Sequence, residues 1–385
     1  SGKGVEKLAV GRMDRGTHLQ GDRYPCRPEK RSSRRCGRQR MIEIDGAQNS
    51  GSGTIVRYVV ALASLLGQPL HLFNARAKRE KPGLRPQHLT SVLACAEMCG
   101  AKTQGVNVGS HELTFIPGGR IKGGAFAWDI GTAGSTTMLA LSILPLACFA
   151  NSPVTARITG GVFQDFAPSP HHMQNVLAPL LQRMGLSLRL AVVRAGYVPK
   201  GAGVIELSVR PIERPLHALT LTEQGFLREV SGIAFSSHLR ERRVSERMAR
   251  VCEGHLANAG LSSKIERLYD TAALHAGASL VVWGESSTGC ILGADRAGAL
   301  RRSSEVIGRF VAEKFLADLT TGATVDQHIA DQLVLFATLA DGTSRYLVPR
   351  QTEHLASNLR LAEQFGAKVE VRGKEVTIEG VGFHR

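Results

Sequence analysis

The residue in this chain best suited to nucleophilic chemistry is His354, which opens a predicted C-terminal helix. A histidine at a helix start is more often a surface or capping residue, so its type alone decides little. Three upstream segments, however, supply what a histidine nucleophile acting on phosphate would need. They are a glycine-rich loop, a basic loop and a Gly/Pro turn, at residues 45–53 with Arg57, 76–88 and 196–203.

The glycine-rich loop lies between a predicted strand and a predicted helix. Residues 41–45 alternate as a strand does, and residues 54–66 form an apolar helical run. A helix entered through glycines offers free backbone N–H groups and the positive end of its dipole, which favours an anion site. The loop fits neither the phosphate loop of nucleotide triphosphatases nor a dinucleotide fingerprint.

Composition indicates a large folded protein in a reducing compartment. The chain has 385 residues, 43% of them hydrophobic, enough for two domains or for one domain with an insertion. No run of 18 apolar residues occurs, so we expect no membrane span. The seven cysteines form no C-x-x-C pair, and Cys95 and Cys99 fit core packing in a helix. We therefore expect a cytoplasmic protein.

The net charge of +15 is concentrated at the start of the chain. Residues 1–40 carry 12 Lys and Arg against 4 Asp and Glu and lack helix or strand periodicity, so we predict a basic, disordered extension. It is either an arm that binds nucleic acid or an extension ahead of a true start at Met41, which is the favoured interpretation. The rest of the chain is also basic, which fits an anionic partner.

A repeated pattern predicts the architecture. An apolar helix, a closing glycine and two strands joined by a turn occur three times, with the glycines at Gly100, Gly185 and Gly366. We predict an α/β (α+β) fold with a pseudo-threefold body of helix–sheet repeats. Residues 218–300 do not follow this helix–glycine–hairpin pattern and predict a smaller inserted α/β domain. Residues 41–217 and 301–385 would then form the body.

Several motifs together resemble those of the RNA 3′-terminal phosphate cyclases. The matching pieces, in chain order, are residues 45–48 with Arg57, 81–89, 131–135, 194–203, 286–290, 330–333 and His354. The resemblance covers about residues 41–385. It implies a body of three helix–sheet repeats, related to those of enolpyruvyl transferases, with a smaller inserted domain. That agrees with the repeats and the insertion predicted from the residues themselves.

The resemblance also implies an activity. Members of this family use ATP and a divalent metal, magnesium or manganese, to convert an RNA 3′-phosphate end into a 2′,3′-cyclic phosphate. Here His354 would attack the α-phosphate of ATP to form a covalent histidine–AMP. The AMP would then move to the RNA 3′-phosphate, and the neighbouring 2′-hydroxyl would expel it.

This chemistry needs charge neutralisation and alignment more than covalent machinery. Neutral imidazole is a competent nucleophile near pH 7, and a well-oriented intramolecular attack contributes about 7–11 kcal/mol. The protein must therefore neutralise phosphate charge, and arginine suits bidentate phosphate contact. The candidates for ATP and phosphate contact are Arg57, Arg76, Arg79 and Lys81, with Gln87 as a hydrogen-bonding group.

The remaining site residues follow from the resemblance. Asp331 would orient the ring of His354 or bind the metal, and with Arg57 and His354 it completes the predicted catalytic set. Pro168 lies where the family contacts adenine. The metal ligands stay unassigned.

Some positions depart from the family pattern and indicate a divergent member. Ser50, which is predicted to contact ATP or its phosphates, stands where active members usually carry an acid that helps to hold the metal with ATP. Ala202 interrupts the triple glycine, and residues 160–164 are less polar than usual. His172 and His328 occupy positions that usually hold aromatic rings near the adenine.

Two alternatives stay open at this point. One is a catalytically silent cyclase-like scaffold in ribosome assembly, which Ser50 favours and the retained His354, Arg57 and Asp331 oppose. The other is adenylylation of a different nucleic-acid phosphate end, because backbone-phosphate contacts do not distinguish the two ends. The sequence contains no aromatic-rich RNA-recognition motif or zinc finger, so we predict recognition of the end and not of a sequence.

Overall fold

The computed structural model describes residues 40–384, and its first unit is a four-stranded sheet with two helices. The strands lie in the order β1-β2-β4-β3, with β1 parallel to β2 and the other pairs antiparallel. The elements are β1 (Ile42–Asp45), α1 (Gly53–Leu66), β2 (Leu70–Phe73), α2 (Pro86–Cys99), β3 (Lys102–Gln104) and β4 (Leu113–Ile116). Helix α1 ends at Gly67, whose φ of 67° is a conformation that glycine adopts without strain.

The second unit repeats this topology. Its sheet has the order β5-β6-β8-β7, again with one parallel pair followed by two antiparallel pairs. The elements are β5 (Gly124–Asp129), α3 (Thr136–Cys148), β6 (Val154–Gly160), α4 (Pro170–His172), a π-helical segment (Met173–Leu177), α5 (Ala178–Arg183), β7 (Ser187–Arg194) and β8 (Gly203–Arg210). Helix α3 is buried on all sides and packs against α1 and α2.

The third unit begins with a short strand, β9 (Thr220–Leu221), and is then interrupted by an insertion. The insertion has its own sheet, in the order β11-β10-β12-β13. Its elements are β10 (Leu227–Ser237), α6 (Val244–Asn258), β11 (Ser263–Asp270), β12 (Gly277–Ser286), β13 (Ile291–Ala297) and α7 (Ser304–Leu319). Helix α7 packs against α6, β12 and β13.

After the insertion the third unit is completed by α8 (Gln327–Leu339), β14 (Thr343–Leu347), α9 (Glu353–Gln364), β15 (Lys368–Arg372) and β16 (Glu375–Glu379). Its sheet order, β9-β14-β16-β15, and its strand directions repeat those of the first two units. The predicted α/β (α+β) class with three helix–sheet repeats is therefore confirmed. The repeat is longer than predicted, since each unit also contains a strand, a helix and a second strand ahead of the helix–hairpin pattern.

The domain boundaries stay predictions. The basic extension predicted for residues 1–40 falls outside the described residues except for Arg40. The boundary predicted at residue 300 separates β13 from α7, although α7 packs with the strands of the insertion. Across residues 40–384, no helix combines the length and the apolar character needed to cross a membrane.

Candidate active site

The starts of four helices meet around His354. The Oγ atom of Ser52, which caps α1, lies 3.3 Å from Nδ1 of His354 in the first turn of α9. At the start of α2, the ring of His88 lies so close to Gly53 that a Cβ there would overlap it. The neighbouring Gln87 accepts a hydrogen bond from the backbone N–H of Ser135, the cap of α3, at 2.9 Å. These contacts bring the starts of four helices together, and the positive end of a helix favours an anion.

A buried group of serine hydroxyls joins the glycine-rich loop to α9. The N–H of Ser50 donates to Oγ of Ser357 at 3.1 Å, and the two hydroxyl oxygens are 2.9 Å apart. Ser50 Oγ in turn donates to Ser52 Oγ at 3.1 Å. Ser50, predicted to contact ATP, therefore holds the loop against α9 in this structure, and it places the Ser52 hydroxyl beside His354.

The environment of His354 keeps its ring neutral. Burial lowers the pKa of His354, and the positive charges of Arg79 and Arg57 lower it further. At neutral pH the imidazole is therefore unprotonated and retains a lone pair. Because Nδ1 is engaged by Ser52, Nε2 is the ring nitrogen left for chemistry.

Arg57 and Asp331 are two ionisable residues whose charges interact with each other. Burial lowers the pKa of Arg57 to about 10, with Asp331 opposing the shift, so the guanidinium stays charged at neutral pH. Burial likewise raises the pKa of Asp331 to about 7. The Asp331 carboxylate accepts a hydrogen bond from Gln332 at 2.8 Å. Ser52 lies 3.3 Å from Nδ1 of His354, whereas the Asp331 side chain accepts from Gln332 and lies near the Arg57 charge. That Asp331 orients the ring or binds the metal stays a prediction.

The basic loop divides into groups that hold it and groups that are exposed. Arg76 donates to the backbone carbonyls of Lys81 at 2.8 Å and Gly83 at 2.7 Å, so its head group shapes the loop. Arg79 and Lys81 are exposed and project their charges into solvent. Lys78 donates to the carbonyl of Asn49 at 2.6 Å and ties this loop to the glycine-rich loop.

The residues predicted to lie near the adenine differ in how deeply they are buried. The buried Pro168 accepts a hydrogen bond at its carbonyl from Thr137 at 2.8 Å. The His172 ring is wholly buried, and its Nε2 lies 3.1 Å from Oδ2 of Asp326. Burial opposes the charged form, yet Asp326 raises the pKa of His172. His172 is therefore part of a buried pair without an exposed face, whereas the half-buried His328 lies edge-on to it at 6.0 Å.

The same carboxylate, Asp326, organises the start of α8. It accepts from the N–H groups of His328 at 2.8 Å and Ile329 at 2.9 Å, and from Gly293 of the insertion at 2.9 Å. Sequence reasoning missed Asp326, Ser52, Ser357 and Lys78. Only the cap positions carried a local signal, a serine or aspartate just ahead of an apolar helix.

A metal site built by the protein is not part of this arrangement. Within residues 40–384, no three side chains of His, Cys, Asp or Glu come together as metal ligands. Ser50, at the position where the resemblance predicts an acid, is committed to its serine partners.

Together, the fold and the site define an α+β protein with three repeated units and a group of helix starts and basic side chains centred on a neutral histidine. A family model described as "RNA 3'-terminal phosphate cyclase" matches residues 48–371. The chain belongs to the RNA 3′-terminal phosphate cyclase family, which confirms the predicted resemblance and the prediction of an enzyme.

Curated relatives agree with this assignment. A protein of Pyrobaculum aerophilum named "RNA 3'-terminal phosphate cyclase" is 36% identical over 349 residues, covering 89% of this chain and 99% of that protein. A protein of Pyrococcus furiosus with the same name is 38% identical, covering 86% of this chain and 96% of its own length. Among solved structures, the "EPSP synthase from Acinetobacter baumannii" aligns with 13% identity and a TM-score of 0.40, over 89% of this chain and 48% of that one. That likeness is too weak to support a conclusion.

Proposed function

We propose that this protein uses ATP to convert an RNA 3′-terminal phosphate into a 2′,3′-cyclic phosphate through covalent AMP on His354. The observation that carries the proposal is the state of His354, which is neutral, held at Nδ1 by Ser52 and surrounded by positive helix ends. Membership of the cyclase family and the names of its relatives support the substrate.

In the first step, Nε2 of His354 attacks the α-phosphorus of ATP. A P–N bond forms, the P–O bond to the β-phosphate breaks, and pyrophosphate leaves. This requires the tautomer in which Nδ1–H donates to Ser52 Oγ, an arrangement that the 3.3 Å contact allows. The exposed charges of Arg79 and Lys81, with Arg57 behind them, would offset the charge that develops on the phosphate oxygens.

In the second step, an oxygen of the RNA 3′-phosphate attacks the phosphorus held on His354, and the P–N bond breaks. The product is an RNA–pp–A end with the imidazole restored. In the last step, the 2′-hydroxyl attacks the terminal RNA phosphorus, loses its proton to water and expels AMP. The nucleophile of this step is already positioned by the ribose, so the enzyme's main contribution is to hold the end in line.

Magnesium or manganese would enter with the phosphates of ATP and not through a protein cage. Mg²⁺ is often bound by one or two carboxylates together with substrate phosphates. Since the described residues offer no cluster of metal ligands, we assign no step to a metal held by the protein.

The test is incubation with α-labelled ATP and magnesium or manganese, followed by a denaturing gel. We expect a labelled band that survives base but not acid, and His354→Ala should reduce the label at least about 10³-fold, the scale of losing a nucleophile. Thermal unfolding of the variant should match wild type, because His354 is half-buried. Folded wild-type protein that gives no band with either metal would favour the silent scaffold.

A further inference from the structure

The loop between β6 and α4 exposes an aromatic ring under backbone strain. Phe166 is 98% exposed, and its φ is 67°. A bulky side chain at positive φ is a genuine outlier, and such strain persists only where neighbouring structure enforces it, often at ligand clamps. An apolar ring held in water at this backbone cost indicates a binding function more than a packing one.

The insertion holds this loop in place. The carboxylate of Asp165 receives two hydrogen bonds from Arg302, at 3.0 and 2.8 Å, and Arg296 lies 3.3 Å from it. Arg302 also donates to the carbonyl of Ala297 at the end of β13. A bidentate arginine–carboxylate pair fixes orientation as well as distance. The ring of Phe166 is therefore presented from a rigid loop.

Phe166 lies close in the chain to Pro168 and His172, which are predicted to lie near the adenine. It precedes Ser169 by three residues, a span of at most about 11 Å. Ser169 Oγ accepts from the N–H of His172 at 3.2 Å, and the His172 ring contacts the ring of His328. His328 in turn contributes to the electrostatics of His354.

We propose that Phe166 is a stacking platform for a nucleobase near the 3′ end of the RNA substrate. This inference rests on the proposed function. Unpaired RNA bases stack on aromatic side chains, and every base offers a π-face, so the contact tolerates any sequence. That property suits an enzyme whose substrate is defined by its phosphate end.

The neighbouring loop of the insertion, residues 298–303, extends the same surface. It carries Leu300, which is 93% exposed, and the exposed Arg301, and it is joined to the Phe166 loop through Arg302 and Asp165. An apolar side chain beside a cation is complementary to RNA backbone, since the apolar group suits the ribose and the cation suits the adjacent phosphate. The two loops thus offer one contact for a base and one for the backbone.

The competing nucleobase is the adenine of ATP, since Pro168, two residues away, is predicted to contact it. Self-adenylylation separates the two sources because it uses ATP without RNA. If Phe166→Ala impairs self-adenylylation as much as it impairs RNA binding, the base is adenine and the RNA platform is wrong.

The experiment measures the affinity of the full chain for a fluorescent single-stranded RNA ending in a 3′-phosphate, together with self-adenylylation. Phe166→Ala should weaken RNA binding roughly 5- to 100-fold, the range for losing one base–aromatic stack, and change self-adenylylation less than about twofold. Phe226→Ala is the matched control. Phe226 is also exposed, but it lies by the Ser286 end of β12, opposite the end where β12 pairs with Ala297.

Two further variants guard against misfolding and indirect effects. Phe166→Trp should keep the affinity and lose tryptophan emission when RNA stacks on it, whereas Phe166→Leu, apolar but not aromatic, should bind like Phe166→Ala. Unchanged affinity in Phe166→Ala, or equal losses in Phe226→Ala, would overturn the platform. RNA binding that depends on Phe166 in a protein without covalent AMP would support the platform and refute the proposed function.

Discussion

Two histidines near helix starts, His354 and His172, have pKa values that are shifted in opposite directions. His354 lies beside serine hydroxyls. Burial and the charges of nearby arginines lower its pKa, and one of its ring nitrogens stays free. His172 is more deeply buried, yet its pairing with Asp326 raises its pKa. The same side chain is thus a candidate nucleophile at one end of the site and the buried partner of a carboxylate at the other. The charged groups beside the ring, more than its depth of burial, determine whether its pKa is raised or lowered.

The largest effect that would test this contrast is on stability. His172→Ala leaves the Asp326 carboxylate buried without its counter-charge, which should lower the free energy of unfolding by about 3–5 kcal/mol. Urea denaturation measures the loss.

The neighbouring His171 provides the matched control for that measurement. It is also buried, but burial lowers its pKa to about 4, so it is neutral and its removal orphans no charge. His171→Ala should therefore cost clearly less than His172→Ala. Equal costs would show that the His172–Asp326 pair contributes packing and not charge compensation.

A smaller effect should distinguish the two serine caps. Ser52→Ala removes the cap of α1, the acceptor of Ser50 Oγ and the partner of His354 Nδ1, whereas Ser135→Ala removes the cap of α3 and a contact with Thr137 but no contact with His354. Each variant should lose about 0.5–2 kcal/mol of stability. Self-adenylylation should fall about tenfold in Ser52→Ala alone, by about the worth of one hydrogen bond. A matching fall in Ser135→Ala would mean that the cap, and not the contact with His354, matters.

The smallest expected effect is a shift in pH dependence. The unprotonated ring is the reactive form, and the pKa of His354 lies below the ordinary 6.5, so ring protonation should slow self-adenylylation only below about pH 6.5, separately from any change that titration of Asp331 near pH 7 causes. Arg79→Ala removes a positive charge that lowers this pKa and should move the fall towards pH 6.5. Rate measurements across pH 5–8 test this.

Arg85, in the same basic loop, is the control for that shift. It is exposed like Arg79 but is not among the main charges that set the pKa of His354. Arg85→Ala should leave the pH profile in place. A profile that moves equally in both variants would indicate a general loss of positive charge.

How far the sequence predicted this molecule depends on the range of the interactions. Helix-ending glycines such as Gly100 and Gly366 are local signals, so the helix–hairpin half of each unit was predictable. The other half was predicted only in the first unit, from the strand pattern at residues 41–45 and the apolar run at residues 54–66. In the later units α3 is apolar on every side and β9 has two residues, which leaves no periodicity to detect.

The site shows the same limit. The position of His354 at a helix start and the basic residues of its loop follow from local sequence. The partners that set its state do not, since Ser52 and His354 are 302 residues apart and Ser50 and Ser357 are 307 apart. His172 was placed near the adenine by the resemblance, and nothing in the sequence around it marks Asp326, 154 residues away, as its partner.

The position of the insertion also determines when the third unit can be completed during synthesis. Strand β9 pairs with β14, and the whole insertion lies between them, so the third sheet closes only after the ribosome has delivered both. Helix α9, which carries His354, comes later still and must reach back to the first unit. A chain that stops before α9 therefore lacks His354, and under the proposed function it would not take up AMP.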